Sequence, residues 1–173
     1  MIRCAKKEDL NAILAIYEDL NAILAIYNDA IINTTAVYTY EPQTIDERVA
    51  WFETKQRKHE PIFVFEENGS VLGFATFGSF RPWPAYLYTI EHSIYVDASA
   101  RGKGIASQLL HHLIVEAKAK GYRALVAGID ASNKASIQLH QKFAFKHAGT
   151  LTNVGFKFNQ WLDLAFYELD LQD

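Results

Sequence analysis

Between Tyr88 and Phe143 the hydrophobic period switches from two residues to 3.6 and back, and this alternation constrains the fold more than any other feature of the chain. YTIEHSIYV puts Thr89, Glu91, Ser93 and Tyr95 on one face of a strand and Ile90, His92, Ile94 and Val96 on the other. IASQLLHHLIVEAKAKGY then lines Ile105, Leu109, Leu113, Ile114 and Ala117 along one stripe of a helix, with Gly121 suited to its C-terminal cap. ALVAGI reads as a buried strand and NKASIQLHQKF as another helix. Strands separated by helices in this way argue for parallel pairing over that stretch.

The flanks are of a different kind. MIRCA reads as a short first strand, and KKED supplies a helix start with acids in the first turn. INTTAVYTYEP, β-branched and aromatic and ended by Pro42, reads as an irregular segment able to lie over a site. TIDERVAWFETKQRKHE opens on a capping box at Thr44 and spaces Ile45, Val49 and Phe52 as a helix does. PIFVFEENGSVLGFATFGSF is two β-prone runs joined across Asn68-Gly69, a hairpin signal, and LDLAFYELDL ends the chain as a strand. The order β, α, α, β, β, β, α, β, α, β defines a mixed α+β domain, expected to span residues 1–173 as one unit.

One stretch does not fit an ordinary domain. EDLNAILAIY occurs at residues 8–17 and again at 18–27 without a difference, inside the first helix. Nothing else recurs at that period, which argues against a repeat architecture. Ten residues advance an α-helix by about 15 Å and about 1000°, roughly 80° short of three turns. Leu10, Ile13 and Leu14 therefore cannot share a contact surface with Leu20, Ile23 and Leu24 in one straight helix. The second copy leads directly into NDAIINT and is expected to hold the packed position, with the first displaced as a helical extension or loop.

Composition removes several functional classes. A net charge of -3 with scattered lysines and arginines offers no basic stripe for a phosphate backbone, so no nucleic-acid partner is expected. No apolar run approaches the ~20 residues needed to span a bilayer, so no membrane association is expected. Cys4 is the single cysteine, which excludes an intramolecular disulfide, and MIRCAKKEDL lacks the pattern of a signal peptide; a cytoplasmic protein is expected. His111 and His112 are adjacent on a helix with no partner four residues on, and no metal site is expected.

The chemistry gathers at YVDASARGKGIAS, a strand ending in a glycine-containing turn that opens a helix. Free backbone N–H groups and the helix dipole make such a turn suited to phosphate. A P-loop needs Ser or Thr after Gly-Lys, but Gly104 follows Lys103; a dinucleotide fingerprint needs a third glycine where Ser107 stands. The run Arg101 to Ala106 instead matches Arg-x-x-Gly-x-Ala, which resembles the pyrophosphate loop of the GNAT-type N-acetyltransferases. SFRPWPAYLYTIEHSIYV, ARGKGIASQLLHHLI, NKASIQLHQKFAF and GFKFNQWLDL, in that order, are similar to one branch of that superfamily, the phosphinothricin and methionine sulfoximine N-acetyltransferases. The likeness runs from IRCA to the tail and leaves out one copy of the decapeptide.

What the resemblance implies can be set on individual residues. The fold is a mixed, largely antiparallel sheet, splayed at the cofactor site and flanked by helices. Acetyl-CoA is the cosubstrate. Its diphosphate falls to Arg101, Gly102, Lys103, Gly104, Ile105 and Ala106, its pantetheine arm to the backbone of Ile94, Tyr95 and Val96, and further contacts to Asn133 and Ser136 of the next helix. Glu91 is the general base, its pKa raised by burial, and His140 stands where the superfamily commonly has a tyrosine that protonates the leaving thiolate. Arg81, with Pro82, Trp83 and Tyr86 in a stiff aromatic loop, suits the anionic head of an amino acid, and Tyr38 and Lys157 are further candidates. The implied activity is acetylation of the α-amine of methionine sulfoximine, methionine sulfone or phosphinothricin by a homodimer. Two alternatives stay open: acetylation of a protein or peptide N-terminus, and a CoA-binding module without turnover. The sequence departs from the family at Phe143-Ala144, where the family usually reads Leu-Gly, so the turn after the last helix is expected to differ.

Overall fold

The computed structural model of the chain describes residues 1–4 and 10–172, the side chains of 10–18 excepted. Seven strands form one sheet in the order β1-β2-β3-β4-β5-β7-β6. They are β1 (Ile2–Cys4), β2 (Ile62–Glu67), β3 (Ser70–Ser79), β4 (Thr89–Val96), β5 (Ala124–Asp130), β6 (Lys146–Lys157) and β7 (Gln160–Asp170). Four helices flank it: α1 (Leu10–Asn33), α2 (Ile45–Arg57), α3 (Ile105–Ala119) and α4 (Lys134–Lys142). Every neighbouring pair of strands is antiparallel except β4 and β5, the pair that the strand–helix alternation predicted to be parallel.

The two faces of the sheet carry separate apolar clusters. On one, Leu20, Ile23 and Ile26 of α1 and Phe52 of α2 pack on Ile62, Val64 and Phe74. On the other, Ile105, Leu109, Leu110 and Leu113 of α3 cover Phe63, Ala75, Phe77, Ile90, Leu125 and Ala127. At about 1.5–3 kcal/mol for each large aliphatic side chain removed from water, the two clusters dominate what holds helices to sheet.

Local signals explain most boundaries. Thr44 and Glu47 form the expected capping box at the start of α2. Asn68 and Gly69 turn the β2–β3 hairpin with φ of 52° and 78°. In the duplicated block the second copy does fill core positions, with Leu20, Ile23 and Ile26 all below 5% exposed, and its Asp19 accepts two hydrogen bonds of 2.9 Å from the Arg3 guanidinium. The expected helix start at KKED lies outside the described residues.

One strand was not foreseen. β6 forms the sheet's edge against β7, and its pairing breaks register between His147 and Gly149 and between Leu151 and Gly155. Each break shifts the alternation of side chains by a residue or more, so the period-two pattern that marks a strand never accumulates in KHAGTLTNVGFK. The turn after α4 also departs from expectation: Ala144 keeps the left-handed conformation, with φ of 64°.

Candidate active site

β4 and β5 are paired only over Thr89–Glu91 against Ala124–Val126. Beyond that they part, while β4 stays bound to β3 as far as Val96 and β5 to β7 as far as Asp130. The antiparallel ladders fix what faces the gap. Asp97 N donates to Leu72 O and Phe80 N to Thr89 O, so odd-numbered residues of β4 turn their backbone groups to β3, and Ile94 and Val96 turn theirs to the opening. From the other side, Ala131 N on Asp163 O and Leu171 N on Arg123 O set the same alternation, which leaves Gly128 and Asp130 facing the gap.

The opening continues into a cleft of about 440 Å³. Ile94, Tyr95, Val96, Arg101, Gly102, Gly104, Ile105, Ala106, Asn133 and Ser136 all line it, so ten of the eleven expected cofactor contacts converge there, and Lys103 does not. Gly104 caps α3 with φ of 79° and no side-chain acceptor, which leaves the first-turn amides of the helix free for an anion. Asn133 caps α4 by accepting from Ser136 N at 3.1 Å. The Arg101 guanidinium reaches away to Asp29 of α1, at 2.8 Å.

Glu91 and His140 approach the gap from opposite faces of the sheet. Glu91 shares its face with Ser93 and Tyr95. A Cβ at Gly128 would stand 3.1 Å from Glu91 Oε1, so the carboxylate leans across the opening onto the one β5 position without a side chain. Burial holds the Glu91 carboxyl above the usual carboxylate range, and Arg81, 3.9 Å away, opposes part of that shift. The Arg81 guanidinium lies 4.0 Å over the Phe80 ring and donates to Phe80 O at 2.8 Å. Beyond it Pro82 and Trp83 lead into a short 3-10 turn, Pro84–Tyr86, with Trp83 and Tyr86 exposed.

On the other face His140 is buried at 4% exposure and meets His92, a residue not among the expected site residues. A lone histidine on an apolar strand face usually means packing, and only the position of His92 two residues before Ile94 hinted otherwise. The β5 contribution, Ala127 to Asp130, was missed as well; two small residues in a buried strand were its signal.

Two residues expected at the acceptor donate to backbone carbonyls. Lys157 is 4% exposed, and its ammonium donates to Ile31 O, Thr34 O and Val37 O at 2.5, 2.8 and 2.8 Å. It ties the end of α1 and the following segment to β6, and burial pushes its pKa below the ordinary lysine value. Tyr38 donates to Asp163 O at 3.2 Å and is exposed. Among the described residues no three His, Cys, Asp or Glu side chains converge as metal ligands, and no helix is long and apolar enough to cross a membrane.

An extended ligand in the gap would complete the sheet as a strand does, and an anionic group on it would rest on the α3 amides, which is the class of ligand that the geometry suits. Comparison with known proteins narrows the class. The model of the acetyltransferase (GNAT) family matches residues 20–145, and the chain belongs to that family. It is 47% identical over 171 residues to the L-methionine sulfoximine/L-methionine sulfone acetyltransferase of Pseudomonas aeruginosa, covering 98% of this chain and 94% of that protein. Among solved structures, an N-acetyltransferase from Staphylococcus aureus Mu50 is 86% identical with a TM-score of 0.92, over 99% of this chain and 98% of that one. A putative acetyltransferase from Salmonella typhimurium, solved with its cofactor acetyl-CoA, is 40% identical with a TM-score of 0.91, over 100% and 94% of the two chains.

Proposed function

We propose that the chain transfers acetyl from acetyl-CoA to the α-amine of a small glutamate-like amino acid, with methionine sulfoximine, methionine sulfone and phosphinothricin as its substrate class, by direct attack in a ternary complex. The name of the Pseudomonas relative supports the acceptor, and the residues at the gap suit it. The cosubstrate supplies an acetyl group activated as a thioester. Backbone groups of Ile94 and Val96 and the amides from Arg101 to Ala106 hold it, and Asn133 and Ser136 close the cleft from α4.

The observation that carries the reading is the placement of Glu91. A carboxylate with a raised pKa, leaning into the splay opposite Gly128, can take the proton of an incoming ammonium or amine directly or through a water. Arg81 beside it suits the anionic head of the acceptor, with Pro82, Trp83, Tyr86 and Tyr38 as walls. His140, on the opposite side, is the group from which the leaving thiolate takes its proton.

A thiol-release assay across the three amines tests this. Wild type is expected to turn over at least one of them, with Glu91→Gln and His140→Ala each lowering kcat by about 10²-fold or more. Release with none of the amines, or an unchanged Glu91→Gln, defeats it. A homodimer belongs to the same proposal. Leu151, Val154, Phe156, Phe158 and Trp161 lie exposed on β6, β7 and the turn between them, at the open edge of the sheet. Sedimentation should give twice the 19.6 kDa of one chain. A cytoplasmic location goes with use of an intracellular cosubstrate.

A further inference from the structure

The His92 and His140 rings are 15° from coplanar, with 5.1 Å between centroids and 3.1 Å between their Nε2 atoms. Centroids so much further apart than the nitrogens mean that the rings meet edge to edge, as an N–H···N hydrogen bond requires, and not face to face. The remaining contacts assign the protons. His140 Nδ1 stands 2.7 Å from Ser136 O, and a carbonyl can only accept, so Nδ1 carries the hydrogen. A neutral His140 then has a lone pair on Nε2, and the hydrogen between the rings belongs to His92 Nε2. His92 Nδ1 is left as a buried acceptor without a partner among the described residues.

We propose that His92 is a positioning residue of acetyl transfer: its Nε2–H holds His140 in the Nδ1–H tautomer and fixes the plane of that ring at the edge of the cofactor cleft. The pair is neutral at rest. Burial pushes His92 down to about 3, with His140 adding to the shift, and burial lowers His140 against the opposing pull of Ser136 O. Phe145 packs edge-on against both rings, and Glu91 lies on the far side of the sheet. With Nδ1–H given to Ser136 O and Nε2 occupied, a neutral His140 has no proton to spare. When the thioester C–S bond breaks and its electron pair stays on sulfur, the sulfur takes a proton that His140 Nε2 has bound from solvent in place of the His92 N–H; giving it up returns both rings to neutral and restores the bond between them.

The kinetic part rests on the acetyltransferase reading, but the hydrogen bond can be read without turnover. In unliganded protein labelled with ¹⁵N-histidine, a nitrogen–nitrogen coupling across the bond between the two Nε2 atoms is expected, with both rings neutral at pH 7. Absence of the coupling, or a ring that titrates near the ordinary 6.5, overturns the assignment. In turnover, His92→Phe should lower kcat by about tenfold and displace the pH profile, with the KM for acetyl-CoA little changed. His92→Gln, whose amide can still donate to His140 Nε2, should restore most of kcat. A His92→Phe enzyme with wild-type kcat and pH profile overturns the positioning role. Loss of activity on every amine in wild type would instead strike the acetyltransferase reading and leave the coupling intact.

Discussion

At Ala144 an L-residue holds φ of 64° in the turn that brings Phe145 under the two histidines, with its N–H on Gln141 O at 3.0 Å. The methyl group in that conformation costs about 1–2 kcal/mol, of which glycine would recover part after its own extra freedom in the unfolded chain is counted. Ala144→Gly should therefore stabilise the protein by about 1 kcal/mol and raise Tm by about 2–4 °C in calorimetry; an unchanged or lower Tm would show that the methyl contacts outweigh the strain. The same scale shows what a sequence conveys about single residues. Strict alternation along β4 already separated Glu91 from His92, and the structure leaves Arg81 as the charged partner of the carboxylate, at 3.9 Å. A lysine among aromatics looks the same in sequence whether its ammonium meets a ligand or, as at Lys157, three backbone carbonyls. The His92–His140 bond joins residues 48 apart in sequence, and no local pattern encodes such a meeting.

Among the elements, α1 poses a question that periodicity alone could frame. Two identical decapeptides offer the core the same side chains, and the structure seats Leu20, Ile23 and Ile26 of the second. Seating the first copy instead would push ten residues out of the middle of the helix. That would create two new helix ends with unsatisfied backbone groups and close a loop at about 2 kcal/mol. A surplus copy N-terminal to the packed one avoids both costs. Ile23→Ala should then cost about 2–5 kcal/mol in urea unfolding, and the corresponding substitution in a chain lacking residues 8–17 should cost the same. A much smaller loss in the longer chain would mean that the first copy can slide into the vacated position. Helices α2, α3 and α4 were legible because their caps and stripes are local. β6 was not, since two register breaks erase the alternation by which a strand is known.

For the whole molecule, the splay that makes a site also sets its behaviour in acid. Parting β4 from β5 opens one face to Glu91 and buries two neutral imidazoles on the other, and the two kinds of group act oppositely on stability. Glu91 has a folded pKa above its unfolded value, so its contribution is fully present below the unfolded pKa and is lost as pH rises; it burdens the fold at neutral pH. His92 and His140 have folded pKa values below the unfolded 6.5, so their contribution is present above that pH and drains away as pH falls, for His92 down to about 3. Each imidazole that stays neutral in the fold adds a slope of up to about 1.4 kcal/mol per pH unit in that window. Urea titrations at pH 7, 6, 5 and 4 should show stability falling below about pH 6.5, with the slope reduced in His92→Phe, which has nothing there to protonate. A His92→Phe protein that loses stability with falling pH as steeply as wild type would mean that His92 is not a neutral buried base.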